Sequence, residues 1–106
     1  MKKLKKIELF RGATSEVEFD LTGFNFAGGG YCQFVMKKMD DDTPIKTIDF
    51  KEPKKYTEIF TDDFTATLDE EEYRYDIMYM INDERYPQCK PSKIKVSEVV
   101  NEYTGN

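Results

Sequence analysis

From Tyr73 to Ile81 the chain alternates without a break. Tyr73, Tyr75, Ile77, Tyr79 and Ile81 fall on one side, and Arg74, Asp76, Met78 and Met80 on the other. A period of two over this length predicts an extended strand with one buried face, because successive side chains of a pleated chain point in opposite directions. A helix is excluded, since its apolar stripe would recur every three to four residues. The pattern also poses a question. Three phenols lie on the face predicted to be buried, and two methionines on the face predicted to be wet.

The rest of the chain reads in the same way. Segments 6–10, 16–21, 31–39, 45–50, 56–60 and 92–99 are each predicted as strands, so the alternation at 73–81 is the sixth of seven. Val17, Phe19 and Leu21 set against Glu16, Glu18 and Asp20 give the cleanest half-buried antiparallel pattern. Eight Phe and seven Tyr against few Ala and Leu suit pleated surfaces. One helical turn is predicted after Thr61, whose hydroxyl can cap the first turn while Asp62 and Asp63 complement its dipole. Phe64 and Leu68 should pack beneath the sheet from there. Residues 82–85 are predicted as a hairpin connection into the last strand, without the Asn-Gly pair that favours the tightest turns. Gly28, Gly29 and Gly30 are predicted as a flexible loop, the alternative being a loop that a neighbour's backbone approaches closely.

Seven short strands with turn signals every eight to twelve residues predict an all-β fold, a single immunoglobulin-like β-sandwich of antiparallel strands spanning residues 1–106. Such sandwiches bury a tyrosine near the start of the sixth strand, its hydroxyl bonded to backbone in the preceding corner. Leu68 followed by Tyr73 has the spacing for that corner, and Tyr75 and Tyr79 would be core rings with hydroxyls at the rim. There is no tryptophan, and the two cysteines are placed in neither the antibody pattern nor a metal-type spacing. Cys32 is expected to be buried, Cys89 exposed in its Pro-flanked turn, and both to be free thiols.

The order of residues resembles a family. "RGAT", "VEFDLTG", "TDDFTATLDEEEYRYDI" and "SKIKVSEVVN" are similar to immunoglobulin-like structural proteins of tailed bacteriophages, including the N-terminal domain of baseplate upper proteins. Gly12, Thr14, Asp20, Leu21, Thr22 and Gly23 match the first part of that pattern. Leu68, Tyr73, Tyr75, Asp76 and Ile77 match the second, and Ile94 and Val96 the third. The resemblance runs from about residue 11 to 100 and departs at Glu71, where the family pattern has glycine. It implies a virion component assembled in the host bacterial cytoplasm, with other phage structural proteins as partners, in a homo-oligomer or other symmetric assembly. It brings no catalytic residues.

The chemistry of the chain points the same way. It has no histidine, which removes the usual general base and the commonest transition-metal ligand. The triple glycine lacks the Lys-Ser/Thr of a phosphate loop. Asp40, Asp41 and Asp42 could offer oxygens to calcium but lack the spaced ligands of a dedicated loop. No enzyme activity, cofactor or metal is therefore expected. A net charge of −5 disfavours a nucleic-acid partner, although Lys2, Lys3, Lys5 and Lys6 form a local basic cluster read as a solvated strand start. No stretch is long and apolar enough to span a membrane, and the polar start lacks the apolar region of a secretion signal, so a soluble product made in the cytoplasm is expected. An acidic mimic of nucleic acid is disfavoured because the carboxylates are interleaved with 16 basic residues.

Met78 and Met80 are the candidate partner-binding residues, since methionine adapts its shape and is enriched at interfaces. The competing reading is that the chain's own loops cover them. An alternative function is a carbohydrate-binding or host-surface adhesion module, for which Tyr31, Tyr56, Tyr86 and Tyr103 would have to form an exposed aromatic platform.

Overall fold

The computed structural model describes residues 2–98. The strands are β1 (Lys2–Lys3), β2 (Ile7–Phe10), β3 (Ser15–Asp20), β4 (Tyr31–Lys38), β5 (Lys46–Phe50), β6 (Lys55–Phe60), β7 (Glu72–Ile81), β8 (Glu84–Pro87), β9 (Cys89–Lys90) and β10 (Ser92–Ser97). One α-helix, α1 (Asp62–Ala66), and a 3-10 turn at Ala27–Gly29 complete the order. The molecule is all-β. All seven strands predicted from periodicity are present, six of them with ends shifted by at most one residue; the last ends at Ser97, and Val99 of its predicted span lies outside the described residues. β1, β8 and β9 are short additions.

The main sheet runs β2-β10-β7-β4-β5, with β8 paired to the far half of β7, and β3 pairs with β6 in a second layer. Antiparallel β10–β7, β7–β4 and β4–β5 pairings reproduce the G-F-C-C′ order of an immunoglobulin-like sandwich, and β3–β6 its B–E pair. The ladder is not antiparallel throughout, as the sequence had predicted. β2 runs parallel to β10 and β1 parallel to β9. The reason is topological: the first strand lies beside the last one of the main sheet, and these two run in the same direction.

The two layers meet through aromatic rings. Phe19 of β3 packs edge-on against Phe34 of β4 at 5.3 Å, and Phe60 of β6 meets Phe34 at 6.3 Å. Phe34, Phe50 and Phe60 are fully buried, each burial worth about 1.5–3 kcal/mol. Both thiols are free and both are buried, which corrects the expectation for Cys89. Its turn folds inward, and its Sγ–H donates to the Ile77 carbonyl at 3.3 Å.

Local chemistry explains the connections. The Thr61 hydroxyl accepts from the Phe64 N–H at 3.2 Å, capping α1 as predicted. Leu68 is buried and Phe64 packs against the core. The predicted 82–85 connection is shorter than expected. Only Asn82 and Asp83 turn, both at positive φ (52° and 61°), a conformation that Asn and Asp tolerate better than other side chains. Glu84 pairs back onto Ile81 and opens β8 instead of leading straight to the last strand.

Candidate docking surface

The buried face of β7 answers the first half of the question its sequence poses. At the near end the Tyr73 hydroxyl accepts from the Asp69 N–H at 2.7 Å, closing the predicted corner over buried Leu68. Burial raises the Tyr73 pKa, so the hydroxyl stays protonated. Glu71 does not need the family's glycine, because among the described residues only Asn82 and Asp83 are non-glycine residues at positive φ. Tyr75 donates its hydroxyl proton to the Lys5 carbonyl. Tyr79 breaks the series. It is 6% exposed, yet its hydroxyl has no hydrogen-bond partner among the described residues.

Above Tyr79 lies the triple glycine, for which the close-approach reading replaces the predicted flexible loop. Gly28 and Gly29 take positive φ. A Cβ on Gly30 would stand 2.5 Å from Tyr79 Cε1 and 2.6 Å from the Met80 carbonyl oxygen. Only a glycine lets the two backbones approach so closely.

The opposite face of β7 carries the methionines. Cross-strand pairing sets Met78 between Gln33 of β4 and Pro87 of β8, and Met80 between Tyr31 and Arg85. Both methionines are half-buried and line a trough of about 270 Å³ whose floor also includes Val35. Lys37, Arg74 and Arg85 stand around it with Asp76 among them. Burial raises the Asp76 pKa, opposed by those three cations. Sequence reading had singled out Met78 and Met80 but not this charged surround. Alternation put Val35 and Lys37 opposite Phe34, but the β4–β7 register was needed to bring them beside the methionines.

Arg74 also settles the role of the acidic turn. Its Nε donates to the Lys38 carbonyl at 2.8 Å and its Nη2 to Asp42 Oδ1 at 2.6 Å. Asp41 Oδ1 accepts from the Thr43 N–H at 2.8 Å. The first interaction with Arg74 holds the Asp42 carboxyl below its usual range, and that with Thr43 does the same for Asp41. Two of the three candidate calcium ligands thus serve to pin the turn. Among the described residues no group of three His, Cys, Asp or Glu is placed to hold a metal.

The tyrosines of the glycan reading are dispersed. Tyr31 lies on the outer face of the main sheet with Lys51 Nζ 4.2 Å from its ring centre. Tyr56 turns inward onto Phe50 at 4.7 Å. Tyr86 is 46% exposed on β8, on the side of Tyr79, whose ring centre is 6.4 Å away. Tyr103 lies outside the described residues. The three described rings therefore do not share a platform.

No family model matches the sequence, and no curated protein matches it significantly. A solved protein of Bacteroides vulgatus ATCC 8482, provisionally named a glycoside hydrolase, superposes with a TM-score of 0.47 at 11% identity. That match covers 90% of this chain and 17% of the other, so the chain spans a small part of that protein. A likeness this partial carries no functional argument.

Proposed function

We propose that this chain is a non-enzymatic structural module of a bacteriophage or prophage virion, docking on other structural subunits of the head, neck, tail or baseplate. The motif resemblance supports the virion setting. The observation that carries the docking reading is the half-buried methionine pair on the outer face of β7, where a freestanding sandwich presents polar side chains. Docking would finish the burial of Met78 and Met80 against a neighbour, while the interleaved surface charges keep unassembled copies soluble.

Met78→Glu tests it. The residue is partly open to solvent, so the sandwich should still fold, as circular dichroism would verify, whereas co-sedimentation with particles should be lost. Normal incorporation of a folded Met78→Glu protein would refute the proposal.

A further inference from the structure

The outer face of the β3–β6 layer is rich in carboxylates and the methionine trough of the main sheet in cations. On the β3–β6 layer the outward positions are Glu16, Glu18 and Asp20 on one strand and Ile59, Thr57 and Lys55 across from them. Glu16, Glu18 and Asp20 thus line one strand, with Lys55 across from Asp20, the Lys5 ammonium on the Glu18 carbonyl, and Ile59 standing 51% exposed among them. On the main sheet the methionine trough is bordered by Lys37, Arg74 and Arg85, with Asp76 among them and Asp42 on Arg74. Arg74 is committed to Asp42, and among the described residues no ion pair engages Lys37 or Arg85.

From this we infer that the occupant of the trough is a second copy of this chain, presenting its β3–β6 face, with Ile59 entering between Met78 and Met80 and the Glu16–Glu18 row against Lys37 and Arg85. The inference rests on the docking reading of the trough and names the partner. Charge complementarity selects unlike faces: two acidic faces repel each other, as do two basic ones, so a symmetric back-to-back or front-to-front pair is disfavoured. Methionine side chains can shape themselves to a β-branched knob, and an exposed isoleucine gains by leaving water. Because the two faces lie on opposite sides of one molecule, each docked copy leaves a fresh acidic face. The contact is therefore heterologous and propagates into a ring or a stack.

Sedimentation velocity over a concentration series tests this with the full chain. The unmodified protein should form species larger than a monomer as concentration rises. Ile59→Glu spoils one face and Arg85→Glu the other, the two new carboxylates repelling each other where the spoiled faces meet, and each variant alone should weaken self-association more than about tenfold. Mixed together, the two variants should form a one-to-one pair and nothing larger, because one intact acidic face and one intact basic face remain between them. The inference is overturned if the unmodified protein stays monomeric throughout, if either variant associates like the parent, or if the mixture forms no pair. Particle incorporation of Met78→Glu separates the two readings. If incorporation is lost while the unmodified protein is monomeric, the trough holds a different subunit and only the self-contact falls. If incorporation is normal and association also unaffected, both fall.

Discussion

Tyr73 and Tyr79 sit on the same face of the same strand, yet their surroundings differ in kind. At the Tyr73 end a phenol hydroxyl meets a backbone N–H across a corner made for it. At the Tyr79 end a ring is pressed beneath glycine backbone, and its hydroxyl is buried without a partner among the described residues. A buried polar group lacking a hydrogen bond costs about 1–3 kcal/mol, so one end of β7 is anchored by its tyrosine and the other tolerates it. The same side chain, placed by the same alternation, stabilises one site through its hydroxyl and the other through its ring alone.

The largest effect is expected from emptying the anchored end. Tyr73→Ala should destabilise the protein by about 3–5 kcal/mol, measured by urea unfolding, since it removes a fully buried ring and leaves a cavity. Next comes Gly30→Ala at the other end, expected to cost about 1–3 kcal/mol. Its Cβ would clash with a carbonyl that cannot recede as well as with the Tyr79 ring. Combining it with Tyr79→Leu should recover part of that cost, and additive effects would mean that the ring is not what the glycine accommodates.

Removing each hydroxyl alone bears most directly on the contrast. Tyr73→Phe should cost about 1–2 kcal/mol because the Asp69 N–H loses its acceptor, whereas Tyr79→Phe should be neutral or stabilising. Equal losses would erase the difference between the two ends.

The smallest effect lies midway along the strand. The Asp76 pKa is raised in the folded chain, chiefly by burial. The folded protein therefore holds this proton more tightly than the unfolded chain. Stability falls as pH climbs from the unfolded carboxyl value, about 3.9, through the raised folded value, and the loss is complete above it. Asp76→Asn should flatten that slope and raise the melting temperature slightly at neutral pH, by well under about 1 kcal/mol given the three cations nearby. A lower melting temperature would show that the attraction of Lys37, Arg74 and Arg85 outweighs burial.

Much of the fold was legible in advance. Alternation in β3, β4 and β7 placed their buried residues, Thr61 announced the cap of α1, and Leu68 with Tyr73 announced the corner. Each rests on local chemistry that a few neighbouring residues carry. Cys89 was misread because its burial depends on the path of the turn carrying it and on Ile77, twelve residues earlier. The glycine loop was misread for a similar reason. What it accommodates, Tyr79 and the Met80 carbonyl, is some fifty residues away. Of the candidate surface, the two methionines stood out by position, but their charged neighbours belong to strands that only pairing brings alongside.

By itself, then, the amino-acid order determined which residues are extended, which side of each strand is apolar and where the helical turn begins, because those properties depend on neighbours within a few positions. Tertiary structure alone decided that β2 lies parallel to β10, that one tyrosine hydroxyl is satisfied and another has no partner among the described residues, and that the carboxylates of β3 and the cations around the trough belong to different layers. Register and layer packing join residues distant in sequence, and no local pattern encodes which of them will meet.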